Sequence, residues 1–208
     1  MKFVITAGPT REFLDPVRFL SNPSTGLMGF AVAAAAAAKG YEVILVAGPV
    51  ALKTPRGVKR VDVVSAREML AAVRRAAAKT DIVISTAAIA DWRPAKCARK
   101  KLKKREMSAS LALVRNPDLL KTLHRAGYVR LVGFAAETGA FAAEAERKCR
   151  AKGLEFIVAN DVTERGSGFG SRTNRVTIFY RSGAVKALPQ MTKTALARRL
   201  VKECERII

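Results

Sequence analysis

The chain has little of what most catalytic and metal sites are built from. Its 208 residues include one histidine, His124, and three cysteines, Cys97, Cys149 and Cys204, far apart in sequence. No cysteine pair has CxxC spacing and no ligand partner stands near the histidine, which argues against a zinc site or a disulfide framework. His124 reads as a polar residue late in a helix and the cysteines as packing residues. No apolar run approaches the roughly 20 residues that span a bilayer. The apolar part of "MKFVITAGPT" is too short for a secretory signal, so a cytoplasmic protein without membrane contact is expected. Acidic residues are also scarce: 17, against 38 lysines and arginines, for a net charge of +21. Such an excess suits an anionic substrate, nucleic acid, or a host with a basic proteome.

Half of the residues are hydrophobic, enough for a substantial core, and the length suits one domain over residues 1–208. Short β-branched runs alternate with helical patterns. Lys2–Ala7, Glu42–Ala47, Arg60–Val64, Ile82–Thr86, Arg130–Phe134 and Phe156–Ala159 read as buried strands. Helices are predicted over Gly26–Lys39, over Ala66–Lys79 behind a Ser65/Glu68 capping box, over Gly139–Lys152, and from about Thr192 to Arg206. Asn116 followed by Pro117 suggests an N-cap with proline in the first helical position. The alternation implies a Rossmann-like α/β fold, a doubly wound and mostly parallel sheet. Two segments break it: a strand-like Ser110–Val114, and Arg175–Tyr180 with Ala184–Leu188, which read as a hairpin.

The first strand–helix junction carries Gly26-x-x-Gly29. A helix N-terminus offers unpaired N–H groups and a positive dipole end to phosphate, but the same glycines would also permit close helix–sheet packing. The long loop from Pro9 to Thr25 favours a binding role, because such loops within compact domains are usually functional. Its Arg11 and Arg18 suit bidentate anion contacts. After the fourth strand, "TAAIADWRP" places small residues and Asp91 where open α/β sheets gather ligands; Asp91 suits a ribose hydroxyl or a nearby lysine equally well. From Arg93 to Arg105, "RPAKCARKKLKKR" holds eight basic residues and no acid. It could be a solvated charge run or, with Trp92, a nucleic-acid contact, although no RNA-recognition, helix-turn-helix or base-stacking pattern accompanies it. A basic nucleic-acid-binding α/β domain is therefore the alternative to an enzyme. A flavin- or dinucleotide-dependent oxidoreductase fits less well without GxGxxG.

Seven ordered motifs carry a more specific resemblance: "ITAGPTRE" with "LDPVRFLSN", "AAIADWRP", "KLKK", "NPDLL", "VGFAAET", "ANDV" and "FGSRTNRVTI". Together they are similar to phosphopantothenoylcysteine synthetase, over nearly the whole chain from Ile5 onward. That family joins 4′-phosphopantothenate to L-cysteine in coenzyme A biosynthesis. Its bacterial members activate the carboxylate with CTP, release pyrophosphate to form an acyl-cytidylate, and then lose CMP as the cysteine amine attacks. CTP is accordingly expected rather than ATP. Many relatives carry this domain behind a flavin-dependent decarboxylase. With the motifs starting at Ile5, no flavin is expected in this chain and a separate decarboxylase becomes a candidate partner.

The resemblance also implies roles for individual residues. Asn22 and Lys101 would be catalytic, Asn22 holding the intermediate and Lys101 closing over the triphosphate from a mobile flap at about residues 93–110. Arg18 and Ala88 would join Asn22 around the substrate. Ser85, Thr86, Ala87 and Asp91 would line the nucleotide site, with Pro117, Asp118, Leu119, Leu120, Phe134, Lys148 and Lys152. Mg²⁺ would be held through the nucleotide phosphates, and the arm beside the flap would form a homodimer. Two positions depart from the family pattern: Leu27 stands where lysine is common, and Arg172 where aspartate is usual.

Overall fold

The computed structural model describes residues 1–106 and 110–208. In chain order its elements are β1 (Lys2–Ala7), β2 (Arg11–Phe13), β3 (Phe19–Ser21), α1 (Leu27–Ala38), β4 (Glu42–Ala47) and β5 (Val58–Asp62). There follow α2 (Ala66–Ala76), β6 (Ile82–Ser85), β7 (Trp92–Pro94), β8 (Leu113–Arg115) and α3 (Leu119–Arg125). The chain ends with β9 (Arg130–Glu137), α4 (Ala142–Ala151), β10 (Phe156–Asp161), β11 (Thr173–Tyr180), β12 (Val185–Thr192) and α5 (Lys193–Glu205).

Eight strands form one sheet in the order β12-β11-β10-β9-β6-β1-β4-β5. The six from β10 to β5 are parallel, and the β11–β12 hairpin adds an antiparallel edge. The inner strands read as unbroken apolar runs because both of their faces are covered. Successive side chains alternate between the faces. Phe3, Ile5 and Ala7 of β1 enter the core under α1 and α5, while Val4 enters the core under α2, α3 and α4. β4 divides in the same way, with Val43, Leu45 and Ala47 on one side and Ile44 and Val46 on the other.

Local chemistry sets the helix boundaries. The Ser65 side chain accepts from the Glu68 N–H at 3.3 Å as the expected capping box requires, while Glu68 reaches back one residue further than the box, its Oε2 accepting from the Val64 N–H at 2.9 Å. Gly29 lets α1 settle on the sheet: a Cβ there would lie 2.5 Å from the Ala7 Cβ and 2.4 Å from Thr86 Oγ1.

Four expectations need correction. The helix after "RNPD" is capped by Asp118, whose side chain accepts from the Lys121 N–H at 3.0 Å. Asn116 is drawn away from capping, because its Nδ2 donates to the Ala90 carbonyl at 2.8 Å. The edge strand β5 lies two residues earlier than predicted, at Val58–Asp62, because its parallel register with β4 runs from Val43↔Val58 to Ala47↔Asp62. The Pro9–Thr25 loop contains the β2–β3 hairpin. The strand expected at Ser110–Val114 is β8, which pairs antiparallel with β7 through Trp92↔Arg115 and Pro94↔Leu113. Within the predicted flap, Met107, Ser108 and Ala109 lie outside the described residues.

The Gly29→Ala variant should lose about 1–3 kcal/mol of stability, the usual cost of overpacking a tight contact. Urea unfolding followed by far-UV circular dichroism measures this, and an unchanged midpoint would contradict the close α1–β1 contact.

Candidate active site

From β1 the chain fills the sheet outward through β4 and β5, then returns to the other side of β1 with β6 and continues through β9 and β10. Strand order therefore reverses between β1 and β6, and the crevice beyond the carboxyl ends of strands at such a point is where open α/β sheets bind ligands. A cavity of about 370 Å³ opens there, and a second of about 190 Å³ shares Ala87, Ile89, Asp91, Leu120, Phe134 and Lys152 with it.

The cavity wall joins two segments that are distant in sequence. Ala88 donates its N–H to the Gly8 carbonyl at 2.9 Å, and its own carbonyl accepts from the Thr10 N–H at 3.3 Å. That carbonyl also accepts from Asn22 Nδ2 at 3.2 Å. Ser21 Oγ donates to the Thr10 carbonyl at 2.8 Å, and the Ala90 N–H donates to Thr10 Oγ1 at 3.0 Å. Thr86 Oγ1 donates to the Thr6 carbonyl at 2.6 Å. Asn22 and Ala88, paired by the resemblance, are thus neighbours, and both line the larger cavity with Thr86, Ala87 and Asp91. Gly26, in the left-handed region at φ 79°, begins α1 at this wall without a side-chain cap. The N–H groups of the first turn of α1 therefore lack that partner, as suits an anion. Leu27 also lines the cavity, so its departure from lysine replaces a charge with an apolar contact.

The opposite wall comes from α3, α4 and the end of β9. Phe134 and Leu120 line both cavities, and Ser85, Pro117, Asp118 and Leu119 line the smaller one. Lys148 and Lys152 share the larger cavity, but each is engaged by a carboxylate. Lys148 Nζ lies 2.5 Å from Glu137 Oε1 and Lys152 Nζ lies 2.9 Å from Asp118 Oδ2. Burial alone would raise the Asp118 pKa. The Lys121 backbone N–H and the Lys152 ammonium outweigh it and hold the carboxyl below its ordinary value.

Three expected contacts lie elsewhere. Arg18 is absent from both cavity linings; its guanidinium bonds to Asp15 and to the Leu102 carbonyl. Arg11 stacks over the Phe19 ring, 4.6 Å from its centroid. Lys101 is exposed and likewise outside both linings. Sequence reasoning missed Lys193, which lines the larger cavity although only 8% exposed. Its Nζ donates to the Gly168 carbonyl at 3.0 Å, and among the described residues no carboxylate pairs with it. A signal was present: lysine in the first turn of a helix opposes the dipole preference. Asn174, in the "FGSRTN" segment, also lines the larger cavity and accepts from Ser167 Oγ at 2.6 Å.

Among the described residues no group of three or more His, Cys, Asp or Glu could hold a metal ion. Of the carboxylates lining the larger cavity, Asp91 and Glu137, the second is already paired with Lys148, so the residues present form no metal cage of their own.

Fold and cavity together define a doubly wound α/β protein with a polar, lysine-bearing site at its switch point. The chain belongs to the family of the DNA/pantothenate metabolism flavoprotein C-terminal domain, matched over residues 1–207. It is 45% identical, over 99% of its own length and 52% of the relative's, to the coenzyme A biosynthesis bifunctional protein CoaBC of Vibrio vulnificus (strain YJ016). Against CoaBC of Bacillus subtilis (strain 168) the identity is 47%, over 96% of this chain and 50% of the relative. The chain spans about half the length of the curated relatives it matches. Its structure is similar to the crystal structure of the C-terminal domain of CoaBC, with TM-score 0.84 and 42% identity, covering 99% of this chain and 94% of that one. A Cab2 mutant in complex with phosphopantothenate-cysteine shares the fold at TM-score 0.77 and 15% identity, covering 99% of this chain and 87% of that one.

Burial lowers the Lys193 pKa from its ordinary value, so the unfolded chain binds this proton more readily than the folded one. The folded state bears the full cost below the lowered pKa, and the cost fades as pH rises from there to the unfolded value. Lys193→Met should therefore be more stable than the parent near neutrality, with the difference shrinking on approach to pH 10.5. Urea unfolding midpoints across pH check this; a pH-independent difference would contradict it.

Proposed function

We propose that the chain is a phosphopantothenate–cysteine ligase that activates 4′-phosphopantothenate with CTP. The observation that carries this reading is the Asn22–Ala88 hydrogen bond, which brings the "RFLSN" and "TAAIAD" motifs together on the cavity wall at the switch point. Family membership and the 42% identity to the CoaBC C-terminal domain support it.

In the first step the pantothenate carboxylate, ionised at neutral pH, attacks the α-phosphorus of CTP. A new C–O–P link forms and the bond to pyrophosphate breaks. Phe134, Leu120 and the Pro117–Leu119 segment flank the nucleotide, with Asp91 towards its ribose and Ser85, Thr86 and Ala87 beside it. The first turn of α1 faces the phosphates. Lys148 and Lys152 stand on the same wall, and Lys101 closes over the triphosphate from the flap. Mg²⁺, when bound, supplies charge neutralisation for the leaving pyrophosphate. In the second step the cysteine amine attacks the acyl carbon, the bond to CMP breaks, and the amine loses a proton. The Asn22 amide donates to the acyl phosphate and holds it for that attack. Alignment and charge neutralisation, rather than a strongly basic side chain, supply the acceleration.

Exposed Trp92, Leu111, Leu113 and Val114 cluster on and beside β7–β8 and support that arm as the homodimer contact. The bifunctional names of the relatives support a functional partnership with a decarboxylase. No helix among the described residues is long and apolar enough to cross a membrane, which accords with a cytoplasmic site of action.

The direct test is pyrophosphate release from CTP or ATP, with 4′-phosphopantothenate present and cysteine added or withheld. Release that requires phosphopantothenate and prefers CTP is expected; none with either nucleotide would overturn the reading. Asn22→Asp should retain pyrophosphate release but slow product formation by about 10²-fold, because a carboxylate repels the acyl phosphate. Lys101→Gln should slow pyrophosphate release itself by about 10²-fold. Wild-type rates for both half-reactions in either variant would remove that residue from the mechanism.

A further inference from the structure

Asp15 is fully buried although it sits in the turn between β2 and β3. Its Oδ1 accepts from the backbone N–H groups of Val17 at 2.8 Å and Arg18 at 2.9 Å. Its Oδ2 accepts from Arg18 Nε at 3.0 Å and Nη2 at 2.5 Å, and also from the backbone N–H of Leu102 at 3.2 Å. Arg18 Nη2 donates in addition to the Leu102 carbonyl at 2.7 Å. One ion pair thus holds both backbone polar groups of Leu102. A second tie lies on the other side of Lys101, where the Ala98 N–H donates to the Leu14 carbonyl at 2.8 Å.

The segment so held cannot readily order itself. From Arg93 to Arg105 it carries eight positive charges and no acid, and like charges along a chain repel and extend it. The Asp15–Arg18 pair is itself neutral, so what it supplies to the segment is a donor and an acceptor that fix the backbone at Leu102. Because the tie is made to the Leu102 backbone, it leaves the neighbouring Lys101 ammonium uncommitted; among the described residues no hydrogen bond or ion pair holds it. The hairpin that contains the ion pair continues from β3 directly into Asn22, which is bonded to Ala88. A buried ion pair adds little net stability compared with apolar packing, and its better-attested use is to fix one arrangement among several.

We propose that Asp15 and Arg18 are positioning residues that lock the backbone at Leu102, so that Lys101 is presented to the nucleotide phosphates from a segment held by the same hairpin that leads into Asn22. The inference rests on the role given to Lys101 above. It gives Arg18 a task away from the cavity lining, in keeping with where its guanidinium lies.

The test is single-turnover pyrophosphate release by the full chain and by Asp15→Asn, Lys101→Gln and the double variant. Asp15→Asn should slow release at least about tenfold at saturating substrates, as loss of positioning does. It should add no further slowing in the Lys101→Gln background. Arg18→Lys keeps the charge but loses the planar fork that reaches both Asp15 and Leu102. It should behave like Asp15→Asn and carries the same comparison should Asp15→Asn not fold. Trypsin without substrates should cut within residues 96–105 sooner in either variant while far-UV circular dichroism is unchanged.

Equal slowing by Asp15→Asn in the parent and in Lys101→Gln would mean a general structural role and overturn the inference. A wild-type rate in Asp15→Asn beside a slow Lys101→Gln would overturn it and leave the Lys101 reading standing. A wild-type rate in Lys101→Gln would overturn both. Unchanged tryptic cutting would refute the lock whatever the rates.

Discussion

β1 has no face open to water, and the rest of the molecule follows from that constraint. Phe3, Val4, Ile5 and Ala7 are fully buried, so helices must cover both sides of the sheet. A parallel sheet covered on both faces is reached by right-handed crossovers, and here the crossovers run outward from β1 in both directions. The reversal opens a crevice beyond Ala7 and Ser85, where the larger cavity lies. Hydrogen bonds among Gly8, Thr10, Asn22 and Ala88 occupy its rim, so the first polar residues after the buried strands are already in position for a ligand.

Most of this was legible because strong local patterns agreed with the tertiary solution. β1 and β4 fall on the predicted residues, since a continuous β-branched run between turn residues has few alternatives in an α/β chain. The Asn116 cap was misread for a reason that sequence cannot resolve: Asn116 and Asp118 are both good caps, and the bond from Asn116 to Ala90 decides between them. The β2–β3 hairpin was hidden because its strands have three residues each and their pairing depends on the buried Asp15 turn. Lys193 was passed over because its only local signal, a lysine in the first turn of α5, says nothing of its burial, which arises where β12 delivers α5 to the cavity edge.

The site residues divide along the same line. The family resemblance identified the groups on strand ends, where the fold leaves little freedom: Thr86, Ala87, Ala88, Asp91 and Phe134 all line the cavities. It was less informative for long side chains on loops, whose reach lets them choose among partners. Arg18 turned to Asp15 and Leu102, and Arg11 to Phe19. A guanidinium finds its strongest partner in a carboxylate held at the right geometry, and Asp15 is three residues away on the inside of the same turn.

The cavity's cations are held in three different ways, and the difference bears on the proposed chemistry. Lys148 and Lys152 are paired with Glu137 and Asp118, Lys193 has a carbonyl partner, and Lys101 lies exposed outside both linings. Unpaired, all four would form a strong anion trap, and a site that must let pyrophosphate go would retain it. Pairing two of them on the wall lowers the field that the product meets, while their ammonium groups remain oriented beside the nucleotide. In the proposed chemistry the charge needed only as the P–O bond breaks comes from Lys101, on the separate segment tied to Asp15 and Arg18 at Leu102. Interactions that strengthen in the transition state accelerate the step, whereas uniform attraction would only tighten binding. A cation on a separately positioned segment meets that requirement better than a fourth lysine in the wall, and Leu27 at the start of α1 is consistent with a wall that already has enough charge.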